Sequence, residues 1–136
     1  MIDGYVITLS DNPISWHSSD RLIASSEKVE NEFTIHKTQA ITPDRVTTLM
    51  KQHQLHWNYP WQGSQLDLQS GLTKSAYQTV DPNKRIACFL SHYLLWKKCV
   101  SEKKDIMIFE HDAYFTSKLD YSLLSQSPYD IIGLND

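Results

Sequence analysis

One stretch narrows the possible folds of this chain more than any other. Arg85 to Glu102 carries Ile86, Phe89, Leu90, Tyr93, Trp96 and Val100 at helical spacing, and Cys88, His92, Leu95 and Cys99 widen that stripe sideways. Between Ile86 and Val100 only Ser91, Lys97 and Lys98 clearly break the apolar surround. A helix this apolar is covered on more than one side. After three intervening residues Ile106-Met107-Ile108-Phe109 forms a continuous apolar run bounded by charges, the pattern of a central parallel strand. A helix feeding a buried strand predicts an α/β sheet with right-handed crossovers.

The rest of the chain fits that frame. Tyr5-Val6-Ile7-Thr8-Leu9 reads as a buried strand that ends in the turn cluster Ser10-Asp11-Asn12-Pro13. Ser18, Ser19 and Asp20 are candidate caps for a weak helix over Arg21 to Glu30. Glu32 to Lys37 reads as a second strand. Thr42-Pro43-Asp44 supplies an N-cap, a first-position proline and an early acid for a helix carrying Val46, Leu49, Met50 and His53. Trp57 to Lys84 has no sustained period and reads as a long loop. After Phe109, a possible short helix precedes a last strand over Ile131 to Leu134. The predicted order is β-α-β-α-loop-α-β-(α)-β.

Composition removes several function classes. The chain has 136 residues, one domain (1–136) by length. Thirteen Lys plus Arg against 16 Asp plus Glu give a net charge of -3, which leaves no basic excess for nucleic acid. No apolar run approaches the roughly 18 residues of a membrane span. Met1 to Ser10 lacks the features of a signal peptide, so the expected location is the cytoplasm. Cys88 and Cys99 lie about 16 Å apart along one helix, beyond the roughly 7 Å reach of a disulfide and outside zinc spacing. They are expected to be reduced and packed as small hydrophobes.

Glu110-His111-Asp112 carries the most chemistry. It follows a buried strand, and ligands in open α/β sheets bind at the carboxyl ends of strands. In an extended chain Glu110 and Asp112 point one way and His111 the other. Paired carboxylates suit Mg²⁺ or Mn²⁺, and the cation suits a diphosphate. A solvated acidic turn fits the same residues. Ser91 and His92 are adjacent on a helix and do not face each other, whereas Cys88 and His92 share a face as a packing pair. Lys84 and Arg85 open the long helix, where cations do not help the macrodipole, so they are either solvated or near an anion such as phosphate. Trp57, Tyr59 and Trp61 either stack on a sugar or base or lie buried under their own loop.

Arg85-Ile86-Ala87-Cys88-Phe89-Leu90-Ser91-His92, Leu95-Trp96-Lys97 and Ile106 to Phe115 together resemble the core of glycosyltransferase family 25. That group is the lipooligosaccharide-type galactosyltransferases, with a Cys-x-x-Ser-His helix and a strand ending in Glu-Asp-Asp. The opening strand, Ala40-Ile41-Thr42-Pro43 and Tyr129 to Leu134 resemble further family segments. The resemblance implies a GT-A-like (Rossmann-like) fold, here the donor-binding half of a longer family domain. It implies a UDP-sugar donor, a saccharide acceptor, and Mn²⁺ or Mg²⁺ held by Asp112 and Glu110. Thr8, Ser10, Arg21, Ala40, Arg85, His92, Glu110 and His111 would then border the nucleotide sugar. His111 stands where the family has its middle Asp. No catalytic base is named by the match, and a non-catalytic nucleotide-sugar-binding module fits it as well. A half-covered last strand would also permit a homo-oligomer.

Overall fold

Asp3–Thr8 (β1) pairs in parallel with a strand on each side. In the computed structural model, which describes residues 2–134, the sheet order is β2-β1-β5, with β2 at Thr34–Gln39 and β5 at Ile106–Glu110. The architecture is α/β: a three-stranded parallel sheet flanked by helices, a Rossmann-like arrangement. β1, and not the apolar run of β5, is the central strand; β5 lies at an edge of the sheet. Burial alternates along β1, so one face of the strand is more deeply covered than the other.

The deeply covered face carries Val6, Ile35, Met107 and Phe109, which pack with Ile2 and with Leu22 of α1 (Pro13–Lys28). Gly4 lies under this cluster. A Cβ there would stand 3.0 Å from the Phe109 ring and 3.2 Å from Ile35, so any larger residue would press these packed side chains aside.

α1 starts eight residues before the predicted Arg21. Asn12 is the cap: its side-chain oxygen accepts from the N–H groups of Ile14 and Ser15. Pro13 takes the first helical position, where its missing N–H costs nothing. Ser18, Ser19 and Asp20 lie inside the helix. Its buried face is small and hydroxylated. The Ser19 hydroxyl lies 2.7 Å from that of Thr8 and donates to the Ser15 carbonyl, while the Ser15 hydroxyl accepts from the Leu9 N–H. Hydroxyls satisfied in this way can be buried without the cost of an unpaired polar group. That is why a hydropathy pattern misses this helix.

On the opposite face, Pro43–Arg45 forms a short 3-10 turn that leads into α2 (Val46–Gln52). Thr42 makes no side-chain capping bond, contrary to the expected N-cap. α2 packs on α3 (Pro82–Glu102) through a second core of Ile41, Val46, Leu49, Ile86, Ala87 and Leu90. Asp81 caps α3 by accepting from the Asn83 N–H. Within the expected loop, Ser64–Leu66 (β3) and Thr73–Ser75 (β4) form an antiparallel hairpin.

After β5 the chain straps across the first core. Phe115 N–H donates to the Ser25 hydroxyl and Leu119 N–H to Asn31 Oδ1, before the single turn α4 (Tyr121–Leu124). The predicted strand over Ile131 to Leu134 does not form. These residues are exposed and pair with no strand among the described residues. An apolar, β-branched run becomes a strand only when a sheet edge receives it.

Candidate active site

Three strands of a parallel sheet end on the same side, and α3 passes over that end. A cavity of about 350 Å³ opens there. Ile7 and Leu9 come from the end of β1, Ala40, Ile41 and Pro43 follow β2, Glu110 ends β5 and His111 follows it. α3 closes the other wall with Lys84, Ala87, Cys88, Ser91 and His92.

Two backbone bonds set this wall. The Ala40 N–H donates to the Thr8 carbonyl at 2.9 Å and carries the β1–β2 pairing one residue further. The Ile41 N–H donates to the buried Ser91 hydroxyl at 2.9 Å, which ties the post-β2 segment to α3. Ser91 is therefore a structural hydroxyl. The neighbouring His92 faces the strand end: its Nε2 lies 3.3 Å from Glu110 Oε1. Cys88 and His92 share a face, as the i, i+4 spacing requires, and both border the cavity. Cys88 is exposed there instead of packed away. Partial burial of its thiol, with the Glu110 carboxylate nearby, raises the Cys88 pKa.

The acidic triplet is not extended. Ala113 N–H donates to the Glu110 carbonyl at 3.1 Å, so the chain turns at His111-Asp112. Glu110 and His111 line the cavity, whereas Asp112 is exposed and lies outside its lining. The expectation of two carboxylates on one side with His111 opposite fails for this reason.

The other predicted residues divide. Ala40 borders the cavity. Thr8 is buried on the α1 side, with its hydroxyl engaged by Ser19 and the Val6 carbonyl. Ser10 is exposed in the β1–α1 loop, and Arg21 is exposed partway along α1; neither lines the cavity. Arg85 turns from the cavity into the aromatic segment, 3.7 Å from the Tyr77 ring centroid. Sequence reasoning treats Ser91 only as a neighbour of His92 and expects Cys88 to pack away; it misses the Ser91–Ile41 bond and the exposure of Cys88. The signal was the Cys-x-x-Ser-His spacing, which puts positions i, i+3 and i+4 on one face of a helix.

The chemistry of this arrangement is an apolar floor with charge on its rim. Ile7, Leu9 and Ala40 offer room for a flat ring. Lys84, in the first turn of the 21-residue α3, offers a cation where helical N–H groups also point. A family model, glycosyltransferase family 25 (LPS biosynthesis protein), matches residues 14–134. The chain belongs to glycosyltransferase family 25.

The family 25 match covers α3, the acidic turn and the post-β2 segment, which supply most of the cavity wall. No curated protein and no solved structure gives a significant match. Membership supports a glycosyltransferase role in lipopolysaccharide biosynthesis, with a sugar donor and an acceptor as partners. No helix among the described residues is long and apolar enough to cross a membrane. Among those residues no three His, Cys, Asp or Glu side chains converge as a metal cage. The acidic turn offers two carboxylates, the oxygen ligands a hard cation takes, but only Glu110 lines the cavity with His111, and Asp112 stands outside it.

Proposed function

We propose that the cavity binds a nucleotide sugar, a UDP-hexose, whose sugar is transferred to a saccharide acceptor in surface-glycan synthesis. The observation that carries this reading is the position of the His92–Glu110 pair and Lys84 on one cavity at the carboxyl ends of three parallel strands, in a family 25 chain. We take the sheet as the donor half of a GT-A-like domain. The apolar floor by Ala40 receives the base and ribose, and Lys84 faces the diphosphate. His92 holds Glu110 in orientation through their contact, and His111 supplies a further ring nitrogen beside it. Glu110 and Asp112 are the residues that would hold Mn²⁺ or Mg²⁺. When bound, the cation would offset the charge on the departing nucleoside diphosphate. Two free thiols suit the reducing conditions of the cytoplasm.

A second reading is a module that binds the nucleotide sugar without turnover. It is favoured by Asp112, which stands off the cavity, and by the lack of a third converging ligand among the described residues.

Calorimetric titration with UDP, UDP-galactose and UDP-glucose, with and without Mn²⁺, tests both readings. The expected result is metal-dependent binding that Glu110→Gln and Asp112→Ala each weaken by about tenfold or more. Absence of nucleotide binding with or without metal sinks both readings. Binding with no sugar release or transfer selects the module.

A further inference from the structure

Among the described residues the Arg85 guanidinium is held by aromatic rings and by no acid. Its central carbon lies 3.7 Å from the ring centroid of Tyr77, 4.7 Å from Tyr59, 5.7 Å from Trp61 and 5.9 Å from Trp57. Among the described residues it forms no ion pair. Its Nη1 is buried without an acceptor, and so is the indole Nε1 of Trp57. Two buried donors without partners in one cluster are unusual, because nearly all buried polar groups find a partner in protein, water or ligand. Cation–π contact covers the flat face of a guanidinium but leaves its N–H edge unsatisfied. The cluster is open to solvent: Tyr77 is 61% exposed, Trp61 is 39% exposed, and Arg85 keeps part of its surface free.

We infer that Arg85, with Tyr59, Trp61 and Tyr77, forms a subsite for a saccharide that bears an anionic group, a carboxylate or a phosphate. The ring faces would stack on the sugar, and the guanidinium edge would take the oxyanion as a fork. Its position suits an acceptor. At about 100° per residue, Arg85 and His92 project only about 20° apart around α3, so the aromatic face and the cavity face meet along that line. A sugar against Arg85 would lie beside whatever occupies the cavity. The assignment of this sugar as the acceptor rests on the transferase reading; the subsite itself does not.

The test follows the Trp57 indole N–H resonance of the isotope-labelled full chain. Glucuronate, glucose 6-phosphate and glucose are titrated separately. At least one acidic sugar should shift the resonance at a concentration about tenfold or more below that for glucose, the advantage of a charge-assisted hydrogen bond. Which acid succeeds tells carboxylate from phosphate. Arg85→Gln should abolish the preference, and Arg85→Lys, which keeps the charge without the fork, should weaken it. If Arg85→Gln unsettles the aromatic segment, inorganic phosphate in the unaltered chain serves instead and should displace the bound acid. Equal response to all three sugars, or none at Trp57, overturns the subsite. A parallel UDP titration, read at the His92 and His111 rings, keeps the two readings separate. Acidic-sugar binding without UDP binding removes the transferase reading and leaves the subsite standing, and the converse removes the subsite alone.

Discussion

Replacing Ser91 by Ala should destabilise the chain and loosen one wall of the cavity. Ser91 is 6% exposed within α3. Its hydroxyl accepts from the Ile41 N–H at 2.9 Å and donates to the Ala87 carbonyl, also at 2.9 Å. The two losses are unequal. The Ala87 carbonyl keeps its ordinary helical partner, the N–H of residue 91. The Ile41 N–H belongs to a residue only 6% exposed, and the Ser91 hydroxyl is its acceptor. Orphaning a buried donor costs about 1–3 kcal/mol. Alanine returns a few tenths of a kcal/mol in helix propensity, on a scale that spans about 0.7. The expected net loss is about 1–2.5 kcal/mol. For a chain of this size that is about 3–5 °C of melting temperature per kcal/mol. Urea unfolding should show a lower midpoint with an unchanged slope. Amide exchange at Ile41 should accelerate, because the bond that protects it is gone. Donor affinity should fall as well, since Ala40 and Ile41 are held against the cavity by this bond. A loss below about 0.5 kcal/mol with Ile41 still protected would refute the reasoning, for the N–H would then have found another acceptor.

Gly4→Ala should cost about 1–3 kcal/mol by overpacking, read by urea unfolding, because the added Cβ meets Phe109 at 3.0 Å. Asn12→Ala removes the acceptor for two orphan helix N–H groups and should cost about 0.5–2 kcal/mol, read as a lower thermal midpoint. Iodoacetamide should label Cys88 more slowly at pH 8 than a free thiol of ordinary pKa, since a raised pKa leaves less thiolate. Glu110→Gln removes a charge that raises it and should speed the labelling, measured by intact mass in a Cys99→Ser background.

The legible parts of this protein were those whose signals are local. The apolar wheel of α3, the run Ile106 to Phe109 and the β-branched run after Gly4 each reflect burial that the residues themselves carry. α1 was misplaced because its inner face is serine, and serine is buried only where another hydroxyl or carbonyl meets it. The end of the first strand provides that meeting: the Thr8 hydroxyl meets Ser19 and the Leu9 N–H donates to Ser15. The hairpin β3–β4 escaped notice because its strands have three residues each and expose nearly all of them. Ile131 to Leu134 resembled a strand and lies unpaired among the described residues, since a strand forms only against a partner strand.

The candidate site divides in the same way. The family resemblance, more than residue type or spacing, groups Ala40, His92, Glu110 and His111, and the structure brings these four to one cavity. Whether β5 or β1 is central, whether the acidic triplet runs straight or turns at Asp112, and where Arg85 points depend on contacts between segments far apart in the chain. A strand's neighbours, the carbonyl that closes a turn and the rings that stack on a guanidinium are chosen by packing. The apolar helix and strand determined an α/β fold with its site at the strand ends. Tertiary structure decided which charges face that site and which are turned toward the aromatic wall beside it.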